Sequence, residues 1–126
     1  MSWKSKYFSF DEMKCKCGCD QAPMDQEFMV LLDNIRESLA KPLIISSGYR
    51  CPNHPIEAKK AKPGAHATGK AADIAVAGVD AQRVLLAAML LDVNRLGVQQ
   101  KGTGRFIHVD TCTEEDGLPS PAIWSY

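Results

Sequence analysis

Gly64-Ala65-His66-Ala67-Thr68-Gly69-Lys70-Ala71-Ala72-Asp73-Ile74 is answered further along by Phe106-Ile107-His108-Val109-Asp110, and how these two stretches meet decides the fold. His66 and Asp73 stand seven residues apart. On one continuous helix that spacing is two turns, roughly 10.5 Å of rise, too far for two short side chains to share a ligand. Gly64 and Gly69 also weigh against a helix. His66 is therefore placed on a loop, with a turn near Gly69 leading into a strand at Ala72-Asp73-Ile74-Ala75-Val76. Alternation then sends Ile74 and Val76 to the core and Asp73 to the other face. In the second stretch Ile107 and Val109 share one face, while Phe106, His108 and Asp110 share the other. Pairing the two strands sets Asp73 beside His108, with His66 arching over both.

Two histidines and a carboxylate are a donor set that leaves the fourth position of a catalytic zinc open. A single histidine on a strand is ordinarily a satisfied structural residue, and a single aspartate near a glycine is ordinarily a turn or cap. Two such segments in one short chain, each set in apolar alternation, favour the metal.

Further residues carry a resemblance. Ser46-Ser47-Gly48-Tyr49-Arg50-Cys51-Pro52, then His66 through Asp73, then His108-Val109-Asp110, then Trp124, occur in that order. In this the chain resembles the zinc D-alanyl-D-alanine carboxypeptidases and the related peptidoglycan L-alanyl-D-glutamate endopeptidases, whose small phage-type members are close to this length. The likeness runs from about Phe8 to Trp124. It implies zinc (Zn2+) held by His66, Asp73 and His108. It also implies a substrate-facing Arg50, with Ser47 and Tyr49 beside it in the binding segment, and peptidoglycan stem or cross-linking peptide as the substrate. The runner-up is a non-catalytic zinc-containing module on the same fold that recognises wall peptide or a protein partner.

The role of Arg50 is sound on chemical grounds, because a planar guanidinium matches a carboxylate with two parallel hydrogen bonds. It follows Leu43-Ile44-Ile45-Ser46-Ser47, which reads as a buried strand. Zinc would supply polarisation of the scissile carbonyl and a water of pKa about 7, and a carboxylate would carry a proton from that water to the leaving amine. Many relatives place that carboxylate three residues before the last histidine. Here the position is Arg105, which cannot act as a base. Asp110 is the leading substitute, since it shares a strand face with His108; it fits equally as a group that orients a ligand. Arg105 is either an oxyanion stabiliser or a solvent-facing side chain. His54 is explained by its Pro-bounded turn.

Composition agrees with this reading. The chain has 126 residues, enough for one domain over residues 1–126 that buries about two thirds of its unfolded surface. Fifteen basic and fifteen acidic residues cancel, so no global field points to nucleic acid. Lys59, Lys60, Lys62 and Lys70 gather near the proposed site, as a solvated face or as an attractor for anionic substrate. No apolar run approaches the roughly 20 residues that span a bilayer, so no membrane insertion is expected. Met1-Ser2-Trp3-Lys4-Ser5-Lys6 leads into no signal-peptide core. Synthesis in the cytoplasm is therefore expected, with action on the wall after lysis or export by a separate route. A monomer is expected.

Cys15, Cys17 and Cys19 alternate, while Cys51 and Cys112 stand apart. In a cytosolic chain such a cluster reads as free thiols or metal ligands before disulfides, although Cys-x-Cys-x-Cys lacks the usual Cys-x2-Cys knuckle. A structural role, stapling the N-terminal arm to the Arg50 loop, is the expectation, with a second structural zinc as its less favoured version.

Asp25 to Ala40 carries a helical stripe of Phe28, Leu31, Leu32, Ile35 and Leu39, with Asp25 as N-cap. Asp80 to Leu96 reads as a second helix capped by Asp80. Lys101-Gly102-Thr103-Gly104 is a turn, its glycines badly spaced for a phosphate loop. Gly117 to Tyr126 reads as a loop that brings Trp124 and Tyr126 near the cleft. The fold class is α+β, a small antiparallel sheet carrying the zinc site and packed with two main helices.

Overall fold

The computed structural model describes residues 3–62 and 64–126; Met1 and Ser2, which open the N-terminal stretch read above, lie outside them. The short helix α1 (Phe10–Met13) starts at a Ser9/Glu12 capping box. Helix α2 (Gln26–Leu39) starts where expected, with the Asp25 carboxylate accepting from the Phe28 N–H at 2.9 Å. Its buried stripe is Phe28, Met29, Leu32 and Ile35. It ends at Ala40 in the left-handed conformation.

Five strands form one sheet in the order β1-β2-β4-β3-β5: β1 (Ile45–Ser47), β2 (Ala71–Ile74), β3 (Arg95–Gln99), β4 (Phe106–Asp110) and β5 (Ala122–Ser125). The α+β class stands, and the register expected for the two key strands is present, with Asp73 opposite His108 and Ile74 opposite Ile107. One feature of the sheet differs from expectation. β5 runs parallel to β3, so the sheet is mixed rather than wholly antiparallel. The stretch from Leu43 gives a strand of only three residues at the sheet edge, with Leu43 and Ile45 buried and Ile44 exposed.

The second main helix, α4 (Gly78–Leu90), follows a one-turn helix α3 (Pro55–Ala58) and begins three residues earlier than expected. Ala77 is its N-cap, without a side-chain bond. Asp80 sits in the first turn, where a carboxylate suits the helix dipole, and pairs with Lys41 at 2.8 Å. The chain then leaves the helix through Asp92 at φ 61°, so Arg95 and Leu96 belong to β3 rather than to the helix. Leu91 and Val93 continue the helical stripe by spacing alone, and the turn cuts it.

Alternation gives the sheet two unlike faces. Ala72, Ile74, Leu96, Ile107 and Val109 join Phe28, Leu32, Val84 and Ala88 in one apolar core. Ala71, Asp73, His108 and Asp110 face the other way, where a 3-10 turn (Ala65–Thr68) and the C-terminal segment cover them. Among the described residues no helix is long and apolar enough to cross a membrane.

Candidate metal centre

His66 reaches the sheet from the 3-10 turn, Asp73 from the middle of β2 and His108 from the middle of β4. Gly69 closes that turn at φ 78°. A side chain there would run into the Pro23 carbonyl, so only glycine lets the chain swing from His66 into β2. His66 Nε2 lies 3.3 Å from Asp73 Oδ1, and His108 Nδ1 lies 2.9 Å from the same oxygen. All three are buried, and their donor atoms lie within 4.8 Å of one another.

The outward nitrogens decide what the inward ones offer. His66 Nδ1 donates to the Gly48 carbonyl at 2.7 Å, and His108 Nε2 donates to Asp110 Oδ2 at 2.6 Å. A neutral ring that keeps its proton on that outward side turns a lone pair, on His66 Nε2 and His108 Nδ1, toward an ion at the centre, whereas a protonated ring donates to Asp73 from the same inward nitrogen. This carboxylate–histidine arrangement is how imidazole ligands are fixed in metal sites. Two imidazole nitrogens and one carboxylate, with further space beside them, suit zinc with an open position.

Charge is balanced through a chain of partners. Burial works to raise the Asp73 carboxyl, but hydrogen bonding to His108 and His66 outweighs it and holds the group well below the usual carboxylate range. Burial likewise opposes the charged form of His108, yet Asp110 and Asp73 raise its pKa. Asp110 is fully buried. It accepts from Arg95 Nε at 2.9 and 3.1 Å and from the Cys112 N–H at 3.0 Å. Arg95 also donates to the Pro119 carbonyl at 2.6 Å and lies over the Trp124 ring at 4.7 Å. The Trp124 ring in turn stands 5.3 Å from His108. Burial pushes the nearby Cys112 thiol up to about 11, so it stays protonated near neutral pH.

Beside the centre opens a cleft of about 580 Å³ whose walls include Arg50, Lys60, Arg95, Phe106, Trp124 and Tyr126. Arg50 is held from three sides. Nε donates to Ser47 Oγ at 3.0 Å, Nη1 meets Glu57 at 3.3 Å and Nη2 lies 3.5 Å from Asp73 Oδ2. Ser47 is thus a support for Arg50. Tyr49 is buried in the core and does not line the cleft. Lys60 and Lys62 do line it, whereas Lys70 pairs with Asp116. Arg105 is exposed, donates to the Gly102 carbonyl at 2.8 Å and borders a different groove, so it is not placed to stabilise an oxyanion. His54 caps α3, its Nδ1 accepting from the Ile56 N–H.

Sequence reasoning missed Glu57 and Arg95. Glu57 is 1% exposed and binds Arg50, Lys60 and the Gly64 N–H. It stands in a lysine-rich stretch that reads as a solvated loop, and Arg95 fell inside the overextended helix. The carboxylate at Glu57, seven residues after Arg50, was the available signal.

A buried His, Asp, His centre on a sheet face, open to a cleft lined by cations, is a donor set that fits a metal ion with an open position. The family model described as Peptidase M15 matches residues 6–110, and the chain belongs to that family of zinc peptidases. A search of curated proteins gave no match.

Proposed function

We propose that this chain hydrolyses peptide bonds in the stem peptides of bacterial peptidoglycan, as a D-Ala-D-Ala carboxypeptidase or an L-Ala-D-Glu endopeptidase. The observation that carries the reading is the convergence of His66, Asp73 and His108 in the wall of a cleft lined by Arg50, Lys60, Lys62 and Arg95. Stem peptides carry carboxylates, and these cations suit them. Zinc held by the three residues supplies Lewis-acid polarisation of a carbonyl and acidification of water.

The chain's own residues do the rest. Arg50, braced by Ser47 and Glu57, offers its guanidinium edge to a substrate carboxylate or carbonyl, so that binding energy goes into orientation. Asp110 keeps the proton on His108 Nε2 and fixes the ring. Both of its oxygens are already engaged by Arg95, His108 and the Cys112 N–H, which favours an orienting role over that of a proton carrier. Phe106, Trp124 and Tyr126 supply apolar walls that exclude water from the bound peptide. We place the action on the wall after lysis or a separate export step, by a monomer.

One observation favours a second reading. Among the described residues, Asp73 is the cleft's one carboxylate. A domain that binds wall peptide without cleaving it would look the same. Digestion of purified peptidoglycan by the zinc-loaded chain, with mass spectrometry of the fragments, separates the two. Fragments that vanish with His108→Ala support the peptidase and name the bond. A zinc-loaded chain that binds peptidoglycan but releases nothing would leave the binding module.

A further inference from the structure

We propose that Cys15, Cys17, Cys19 and Cys51 form a second metal site, a four-thiolate structural centre for a soft divalent cation such as zinc. It is independent of the peptidase reading, since none of its ligands touches His66, Asp73 or His108. The four Sγ atoms lie within 4.8 Å of one another. Cys17 Sγ stands 3.3 Å from Cys15 Sγ and 3.2 Å from Cys51 Sγ. Zinc–sulfur bonds of about 2.3 Å in a tetrahedron give sulfur–sulfur edges of about 3.8 Å, which falls between those limits.

The backbone explains how alternate cysteines converge. On an extended strand, residues two apart would sit roughly 7 Å from each other along one face. Here the chain turns over residues 16–19, with Gly18 at φ 96° and Asp20 at φ 55°. The Cys15 N–H closes the loop on the Gln21 carbonyl at 2.8 Å. Three thiols are curled inward in this way, and the fourth arrives from the Arg50 loop. The Cys51 N–H points at Cys15 Sγ at 3.3 Å, a donor that suits a metal-bound thiolate.

A disulfide uses the same atoms less completely. The sulfurs stand well beyond a bond of about 2.05 Å, and Cys17 sits between two partners rather than against one. All four cysteines are free. Cys15 and Cys51 are buried, while Cys17 is exposed and Cys19 half-buried, so the centre has a closed inner side and an open side for loading. Four thiolates are a structural ligand set with no open position for a substrate. The ion would staple the N-terminal arm to the residue that follows Arg50.

Cobalt(II) titration of the full, reduced chain under anaerobic conditions tests this. A thiolate-to-cobalt charge-transfer band should grow with the intense visible bands of tetrahedral cobalt, saturate at one equivalent and bleach on adding zinc. The His, Asp, His centre has no sulfur ligand and cannot produce that band. Cys19→Ser should weaken and shift it, Cys15→Ser should abolish it, and Cys112→Ser should leave it in place. Absence of the band in a wild-type chain whose thiols all react with Ellman's reagent overturns the site. So does a chain purified without reductant whose mass shows disulfides among these cysteines and which holds no sulfur-bound zinc.

Discussion

Asp110 shows how much of a ligand's behaviour is set by the residue behind it. Its carboxylate joins the His108 ring to the Arg95 guanidinium, and all three side chains are buried. Asp110→Asn keeps the shape and removes the charge. Zinc affinity should fall by about 10- to 100-fold, measured by competition with a chelator. Saturating zinc should restore most of the peptidase turnover, whereas loss of a general base would not be rescued. Unfolding in urea should also show a cost of about 3 kcal/mol, since the buried Arg95 loses its charged partner. Glu57 makes a pH-dependent contribution of definite sign. Burial raises its carboxyl, but the Gly64 N–H, Lys60 and Arg50 outweigh burial and hold it below the ordinary value of 4.5. The stabilisation is therefore complete above that value and fades as pH falls through the lower folded-state value. Glu57→Gln should flatten the acid side of a plot of urea midpoint against pH, and an unchanged slope would contradict this.

Among the elements, β5 depends on a contact that a single methyl group would break. A Cβ at Gly97 would sit 2.7 Å from Trp124 Nε1. Gly97→Ala should cost about 1–3 kcal/mol through overpacking and shift the Trp124 fluorescence, read against a Trp3→Phe background. The two strands that meet at the centre were legible because Ile74, Ile107 and Val109 alternate with Asp73 and His108, and a period of two fixes both face and register. β3 was hidden because Leu91 and Val93 extend a helical spacing past the point where Asp92 turns the chain. β5 was hidden for another reason. Its ladder is parallel to a strand more than twenty residues earlier, and Ala122-Ile123-Trp124-Ser125 carries no local sign of that partner. The convergence of His66, Asp73 and His108 was readable from the chain, whereas Glu57 and Arg95, which support the candidate site, depend on packing that no spacing encodes.

For the molecule as a whole, an ion held by His66, Asp73 and His108 would act as a cross-link between segments far apart in sequence. His66, Asp73 and His108 come from three elements, so an ion that binds only the folded chain adds to its stability by mass action. Free zinc at 100 times the dissociation constant contributes about 2.7 kcal/mol, worth about 10 °C for a chain of this size. Exhaustive dialysis of a Cys15→Ser chain, which lacks the four-thiolate site, against a chelator should lower Tm by that order in calorimetry, and zinc should restore it where magnesium does not. An unchanged Tm would mean that the three ligands hold no ion.

Tyr126 forms part of the cleft wall, and its ring lies 5.1 Å from that of Phe106. The route by which a peptide would enter is thus bordered by the carboxyl end of the described chain. A purification tag fused after Tyr126 would start at the mouth and act as a tethered competitor, above all a polyhistidine tag within reach of an ion held by His66, Asp73 and His108. Kinetics measured on such a fusion would describe the tag as much as the domain.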